Sequence, residues 1–329
     1  MAQALGDRQH TIHILAPAGS HLPVAATIEE VPGALQVPAQ HQTRDQPITL
    51  PPNSVLANMW ARVRQLQAQF DVIVNFAYDW LPFYLTPFLH RPVGHLVSMA
   101  SVSEVMDQAI ADVLDQYPGT IAVYTRTQAA TFPFGDRCVY LGSGIDLSLY
   151  NFCAEPEDAL CWLGRIAPEK GLEDAVAAVN VTRTPLKIMG QLQDPAYWQR
   201  IQADYPTAPI EYLGFLPTRE MQARLRRCRA LLVTSRWVEA FGNVVIESLA
   251  CGVPVIAYNR GGPSEIMREG QTGFLIPPDS VEALIAAIGK IDQIDRAACR
   301  QQAEEEYSLG AYGDRVEQWL QQVAALSQV

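Results

Sequence analysis

The second half of the chain alternates between short apolar runs and amphipathic segments, with glycine or polar loops between them. Apolar runs of this length are typical of buried strands, and the segments that follow have helical periodicity. Strands are predicted at 159–163, 186–189, 210–213, 230–235, 253–258 and 273–276, and helices at 172–179, 196–203, 218–229 and 281–290. Such alternation with short links predicts a doubly wound parallel sheet that binds ligands at the carboxyl ends of its strands.

The first half is less regular. Strands are predicted at 11–15, 71–74 and 121–124, while the proline-rich segment 31–52 is a loop or a set of short edge pieces. Residues 142–158 have the composition of a linker. A length of 329 residues with 49% apolar residues suits two cores, so we expect two domains.

Charge and cysteine content limit the class of protein. A net charge of −11 argues against a nucleic-acid or anionic-membrane partner. The six cysteines form no C-x-x-C pair, so we expect free thiols in a reducing compartment. No apolar run reaches transmembrane length and the amino terminus does not resemble a signal peptide, so a cytoplasmic location is expected.

Two carboxylates, Glu239 and Glu247, stand eight residues apart between two predicted strands. Between them, Gly242 allows close approach of a ligand, and Asn243 is predicted to cap a helix that Gly252 ends. Free N–H groups at a helix start attract a diphosphate. We interpret the segment as a nucleotide-sugar site, with sugar hydroxyls on Glu239 and a ribose on Glu247. The alternative is an acid favoured by the helix dipole and a second acid in a buried hydrogen bond.

The loop 164–171 carries a cation near each end. Arg165 and Lys170 follow a predicted strand and precede a predicted helix, and such a pair can clamp a diphosphate. Lysine is rare here, with 3 Lys against 21 Arg, and Lys170 is the first in the chain. The alternative is a surface loop with two unrelated cations.

Other candidate positions carry weaker signals. Backbone groups of Gly214, Phe215 and Leu216, after the predicted strand 210–213, are positioned to contact a base, although glycine after a strand is common. The chain has no Asp-x-Asp, and its six histidines lack metal-ligand spacing, so we expect no metal and no other cofactor.

The segment 78–88 of the first half is rich in aromatic rings. Tyr78, Asp79 and Trp80 open this segment, which is interpreted either as a stacking wall for a flat acceptor or as an aromatic core helix. His95 is the one histidine of interest as an acceptor contact, with a core or edge-strand histidine as the alternative.

These motifs together resemble the retaining family-four glycosyltransferases, whose fold is GT-B. The resemblance covers residues 140–325 and rests on motifs that occur in the family's order: Gly164-Arg165 with Lys170-Gly171, Glu239-Ala240-Phe241-Gly242 with Glu247, Gly261-Gly262-x-x-Glu265, and Thr272-Gly273. It implies two Rossmann-like domains facing a cleft, a UDP- or GDP-sugar donor, no metal, and transfer with retention.

The resemblance also assigns domains and roles. It implies an acceptor-binding domain at 1–145, a donor-binding domain at 146–310, and a final helix at 311–329 that packs on the first domain. Arg165 and Lys170 would hold the diphosphate, Glu239 the sugar hydroxyls and Glu247 the ribose. Gly164, Phe241, Gly242 and Asn243 would complete the donor site.

Within this family, segments 78–88 and 95–99 resemble the glucosyltransferases that use UDP-glucose and tetrahydrobiopterin, which implies a reduced pterin as the acceptor. A carbohydrate or lipid acceptor, a nucleotide-sugar epimerase, and an inactive nucleotide-sugar-binding protein are the alternatives. Residues 2–7 resemble the end of the family's first helix, so we expect that a first strand and glycine-rich loop of about thirty residues are missing from the start.

Overall fold

A computed structural model describes residues 1–22, 24–37 and 44–326 of the chain. The chain divides into two compact units: unit 1 comprises Met1–Gly142 and Tyr312–Val329, and unit 2 comprises Ser143–Ala311. Three parts of the sequence predictions lie outside the described residues: His41, part of the predicted loop 31–52, and the last three residues of the predicted helix 311–329.

The strands of unit 1 form two separate parallel sheets within the described part of the chain. They are β1 His13–Pro17, β2 Thr27–Val31, β3 Ile73–Asn75, β4 Val93–Leu96, β5 Ile121–Val123 and β6 Val139–Tyr140. One sheet pairs β1 with β2, and the other has the order β3-β4-β5-β6. Sequence analysis identified β1, β3 and β5 to within two residues.

The helices of unit 1 named here each bury at least one apolar side chain. They are α1 Ala2–Gly6, α2 Val55–Leu66, α3 Trp80–Leu85, α4 Glu104–Gln116 and α5 Arg126–Ala129. In α4, Met106, Ile110 and Leu114 recur every four residues and are at most 2% exposed. This spacing gives one buried helical stripe, which packs in the same core as Phe83 of α3.

The last helix of the chain, Leu309–Ala325, contributes a large side chain to the core of unit 1. Trp319 is 1% exposed, and its indole Nε1 donates to the carbonyl oxygen of Gly119 at 2.9 Å. Its ring lies against Gly94 of β4, where a Cβ atom would come within 2.9 Å of the ring carbons. The absence of a side chain at Gly94 therefore makes room for the indole.

Unit 2 is built on one six-stranded sheet in which all neighbouring strands are parallel. Its strands are β7 Leu160–Leu163, β8 Leu186–Met189, β9 Ile210–Tyr212, β10 Leu231–Val233, β11 Val255–Tyr258 and β12 Gly273–Ile276. Their order is β12-β11-β10-β7-β8-β9. The chain moves outward in one direction from β7 and in the other from β10, so the topological switch point lies between these two strands.

Helices follow the strands of unit 2, as the alternating pattern predicts, and the last two come after the final strand. The helices are α6 Leu172–Thr182, α7 Pro195–Asp204, α8 Thr218–Leu225, α9 Asn243–Ala250, α10 Pro263–Ile266, α11 Val281–Ile288 and α12 Arg296–Glu306. Residues of β7, β10 and β11 are almost entirely buried, which explains why these strands have continuous apolar sequences.

Two predicted helix boundaries are wrong. The N-cap of α9 is Gly242, with φ of 101°, and Asn243 is the first helical residue. A left-handed conformation of this kind favours glycine, so Gly242 takes the place predicted for Asn243. Helix α8 ends at Leu225 and not near residue 229, because the backbone of Arg229 already bonds to Ala159 beside the sheet. Gly252, with φ of 74°, follows α9 as predicted.

Candidate functional site

The candidate donor site lies in unit 2, at the carboxyl ends of the two strands that flank the switch point. The loop 164–171 follows β7, and the loop 234–242 follows β10. Gly171 brings the two loops together: its φ is 64°, and a Cβ atom there would lie 2.1 Å from the carbonyl oxygen of Thr234. Any side chain at this position would force the loops apart.

Lys170 and Glu239 form an ion pair across these two loops. Lys170 Nζ lies 2.5 Å from Glu239 Oε1, and the side chains are 16% and 15% exposed. Ser235 Oγ donates to the same oxygen at 2.7 Å. Burial alone would raise the pKa of Glu239, but Lys170 and Ser235 stabilise the carboxylate and hold its pKa below the ordinary value. Glu239 is therefore ionised at neutral pH.

Arg165 lies in the same loop as Lys170 and has its own partners. Its NH1 donates to Gln193 Oε1 at 2.5 Å, and its NH2 lies 3.2 Å from Glu169 Oε1. Both cations also approach the ring of Trp237. The structure thus gathers Arg165, Lys170 and Glu239, which sequence analysis selected from loops about seventy residues apart.

The glycine pair after β11 supports the loop that carries Glu239. Gly262 N donates to the carbonyl oxygen of Glu239 at 2.7 Å. A Cβ atom on Gly261, whose φ is 68°, would lie 2.5 Å from the backbone nitrogen of Glu239. This contact gives a physical reason for the motif Gly261-Gly262, because bulkier residues would displace the carboxylate from Lys170.

The start of α9 presents backbone N–H groups without a side-chain cap. Asn243, its first residue, is exposed, and Gly242 precedes it in a left-handed conformation. Phe241 differs from expectation, because its side chain is only 6% exposed and its ring contacts Tyr307 with centroids 6.1 Å apart. The ring therefore packs inside unit 2, which does not agree with a side chain that lines a sugar.

Glu247 is held by a residue that sequence analysis missed. Tyr150 OH donates to Glu247 Oε1 at 3.0 Å, and Tyr150 itself is 5% exposed. Burial raises the pKa of Glu247 to about 6, although the Tyr150 hydroxyl stabilises the carboxylate and limits the rise. Tyr150 lies in the predicted linker, where no local pattern marks it as a site residue.

Two further groups of donor candidates lie at the same sheet edge. Gly164 follows β7, and its carbonyl oxygen would be 1.8 Å from a Cβ atom on Gly190, so glycine allows the ends of β7 and β8 to touch. Gly214, Phe215 and Leu216 follow the outermost strand β9, and Phe215 is 75% exposed. These positions remain candidates for contact with a base.

The acceptor candidates of unit 1 have mostly structural roles. His95 is fully buried: Nδ1 bonds to Asn75 at 3.1 Å, Nε2 bonds to Thr86 at 2.9 Å, and the ring stacks on Phe83. Desolvation lowers the pKa of His95 to about 3. The assignment of His95 as an acceptor contact is thus not supported, because its ring is enclosed and both nitrogens are engaged.

The segment 78–88 contains rings that pack in the core and rings that are exposed. Asp79 caps α3, accepting from the backbone of Leu81 at 3.0 Å, while Tyr78 and Trp80 pack against the core. Tyr84 and Phe88 face outward, with 51% and 62% exposure. Trp80 stacks on Tyr84 with centroids 4.4 Å apart, and Tyr84 contacts Phe88 at 5.6 Å. An aromatic row of Trp80, Tyr84 and Phe88 therefore runs from α3 into the turn that follows it.

No group of three or more His, Cys, Asp or Glu side chains is arranged to hold a metal ion in the described part of the chain. No helix among the same residues is long and apolar enough to cross a membrane.

Comparison with known proteins locates a family match in unit 2. Residues 153–306 match the model of the family described as glycosyl transferases group 1. A glycogen synthase of Mycobacterium tuberculosis is 33% identical over 174 residues, which is 48% of this chain and 40% of that protein. The chain thus spans less than half the length of this relative.

Solved structures match nearly the whole chain. Sucrose-phosphate synthase from Thermosynechococcus elongatus has a TM-score of 0.76 at 18% identity, covering 99% of this chain and 92% of that one. HepE from Anabaena, solved in complex with UDP-glucose, has a TM-score of 0.75 at 15% identity, covering 95% and 99%. The predicted fold class is confirmed: the chain has the GT-B fold, and its residues 153–306 match the glycosyl transferases group 1 family.

Proposed function

We propose that the protein is a retaining glycosyltransferase that transfers a sugar from a UDP-sugar donor to a small acceptor. Glucose is the sugar that we propose. The observation that carries this proposal is the ion pair of Lys170 with Glu239, beside Arg165, at the switch point of the unit that contains the family match. The UDP-glucose complex of a structural neighbour supports the choice of donor.

In this proposal, the two cations and the start of α9 bind the donor diphosphate. Negative charge grows on the diphosphate as UDP leaves, and groups already in place at that position lower the barrier most. Arg165 and Lys170 supply positive charge, and the uncapped N–H groups after Gly242 supply hydrogen-bond donors. No metal is required for this neutralisation.

Glu239 and Glu247 are assigned to the hydroxyl groups of the donor. Glu239 is ionised and lies beside the proposed diphosphate site, so it can accept from sugar hydroxyls. Glu247 already accepts from the hydroxyl of Tyr150, and this supports its assignment to the ribose hydroxyls. Tyr150 would then either yield its place to the ribose or share the carboxylate with it.

Donor affinity is expected to fall as pH drops through about 6, because burial raises the pKa of Glu247 to about 6. Above this pH the ionised carboxylate accepts from two hydroxyls, and below it the protonated group does not. Between pH 7.5 and pH 5 we expect a loss of about tenfold, the fall in the ionised fraction. Calorimetry with UDP-glucose measures this, since its diphosphate diester keeps its charge across the range.

The matched control is Glu247→Gln, which should bind more weakly at pH 7.5 and lose most of the pH dependence. An unchanged slope in this variant would assign the titration to another group. The same carboxyl affects the free energy of unfolding in the opposite direction. Because the pKa of Glu247 is raised in the folded state, its contribution to stability is complete below the ordinary pKa of 4.5 and is lost as pH rises through about 6.

Retention is proposed to proceed by attack on the face from which UDP departs. The acceptor oxygen bonds to the anomeric carbon, the bond from that carbon to the phosphate oxygen breaks, and the acceptor proton passes to the leaving oxygen. Proton NMR of the product from UDP-α-glucose tests this stereochemistry. An α-linked product supports retention, whereas a β-linked product overturns it.

For the acceptor we propose a flat molecule, with a reduced pterin such as tetrahydrobiopterin as the first choice. The aromatic row of Trp80, Tyr84 and Phe88 supports this choice, because exposed ring faces stack on planar ligands. The test is a screen of UDP- and GDP-sugars against pterin, carbohydrate and lipid acceptors. Transfer to a carbohydrate or lipid alone would retain the glycosyltransferase and remove the pterin.

Two other outcomes of the screen would overturn the proposed activity. An isomerised UDP-sugar in the absence of acceptor would identify an epimerase. Calorimetric binding of UDP without turnover on any acceptor would identify a nucleotide-sugar-binding protein.

The six cysteines are free in the structure, and we further propose a reducing, cytoplasmic location on that ground.

A further inference from the structure

Trp237 contacts both cations of the candidate donor site. It lies in the loop after β10, two residues before Glu239. Lys170 Nζ is 4.8 Å from the centre of its ring, and Arg165 Cζ is 5.8 Å from it. Both distances fall within the range at which a cation is attracted to an indole ring. One aromatic side chain thus links the two positive groups of loop 164–171.

The other partners of these cations compete with a diphosphate. Lys170 pairs with Glu239, and Arg165 pairs with Glu169 and bonds to Gln193. A carboxylate neutralises the cation that it holds, so an incoming anion has to share or replace it. An indole ring has no net charge. Trp237 therefore contacts both cations without neutralising the charge of either.

The indole nitrogen of Trp237 lies near the third charged group of the site. Its Nε1 atom is buried and has no hydrogen-bond partner of normal geometry. It is nevertheless close enough to Glu239 to help lower the pKa of that carboxyl, after Lys170 and Ser235. The side chain thus adjoins all three charged groups assigned to the donor.

The residue before Trp237 fixes the position of the loop. Arg236 N donates to the carbonyl oxygen of Glu169 at 2.9 Å. Its guanidinium lies 2.9 Å from Asp174 and 2.7 Å from Glu173, both in α6. Tyr258 OH donates to the second oxygen of Asp174 at 2.7 Å. These contacts anchor the backbone beside Trp237, so the ring has a defined place between the loops.

We propose that Trp237 is a positioning residue, which holds Arg165 and Lys170 in the arrangement that a donor diphosphate needs. This inference rests on the proposed function, because it requires a nucleotide-sugar donor at this site. In this role, Trp237 contacts the two cations and does not contact the reacting atoms.

The experiment compares two substitutions of one residue. Trp237→Leu removes the ring and is expected to weaken UDP affinity about tenfold, the size of two modest cation–ring contacts. Trp237→Phe keeps a ring face and should retain most of the affinity. In kinetics, Trp237→Leu should raise KM for the donor by a larger factor than it lowers kcat. Circular dichroism confirms that each variant is folded.

Intrinsic fluorescence gives a readout that does not depend on the acceptor. UDP should change the emission of the wild-type protein, and Trp237→Phe should lose most of this change. Trp198→Phe is the matched control, because Trp198 is another partly buried indole of unit 2, packed against Tyr212 with centroids 5.6 Å apart. This control should keep both the affinity and the emission change.

The outcomes separate the inference from the function on which it rests. If the wild type binds UDP, Lys170→Ala abolishes binding, and Trp237→Leu binds as the wild type does, the positioning role is wrong and the donor site stands. If the wild type binds neither UDP nor GDP, the proposed function fails, and the role of Trp237 fails with it.

Discussion

Replacing Lys170 with alanine is expected to lower kcat by about a hundredfold or more, the usual cost of losing one group that stabilises developing negative charge. Lys170 is the cation that bridges the two site loops, with its amine 2.5 Å from Glu239. The loss should appear in kcat as well as in KM, because charge on the departing diphosphate is greatest in the transition state. Steady-state kinetics with UDP-glucose measures it.

The structure also predicts a cost in stability for this variant. Glu239, whose side chain is 15% exposed, would lose its counter-ion, and removing one partner of a buried ion pair costs about 3–5 kcal/mol. The double variant Lys170→Ala, Glu239→Gln removes that charge and should regain stability without regaining turnover. Near-wild-type kcat in Lys170→Ala would exclude this lysine from the reaction.

Trp319→Ala is expected to reduce the free energy of unfolding of unit 1 by about 3–5 kcal/mol, as for other buried tryptophans. The indole is 1% exposed, donates to Gly119 and fills the space that Gly94 leaves open. The substitution creates a cavity and leaves the partly buried carbonyl oxygen of Gly119 without its indole donor. Urea unfolding followed by circular dichroism gives the value, from the shift of the midpoint.

Trp198→Ala serves as the comparison for this stability measurement, because Trp198 also lies in a helix but is partly exposed. It should cost less than Trp319→Ala. Equal midpoints for Trp319→Ala and the wild type would show that the last helix does not stabilise unit 1.

The architecture of unit 2 was predictable because local and global signals agree there. Its central strands are buried on both faces, so their sequences are continuously apolar and easily recognised. Gly171, Gly242 and Gly252 have positive φ at the points where loops turn or helices begin and end. The expectation that parallel strands bind ligands at their carboxyl ends placed Lys170 and Glu239 at one site, but it did not predict their direct ion pair.

Unit 1 was harder to predict because its strands are short. The three-residue strands β3 and β5 were located from the sequence, whereas β6, with two residues, and β2, which includes Glu29 and Glu30, were not. Such segments give little periodicity to recognise.

Two site details depended on contacts between distant parts of the chain. His95 is enclosed by Asn75, Thr86 and Phe83, which belong to separate elements. Tyr150 reaches Glu247 across 97 residues of sequence. Neither contact produces a pattern in the neighbouring sequence. The N-cap of α9 is a different case, because Gly242 takes the role that was predicted for the adjacent Asn243.

The placement of Trp319 has a consequence for synthesis of the chain. Its hydrogen bond to Gly119 joins residues 200 positions apart, and all of unit 2 lies between them in sequence. A ribosome therefore synthesises the whole of unit 2 before it adds the indole that completes unit 1. Although unit 1 begins first, its core should be completed only after the sequence of unit 2 has been translated.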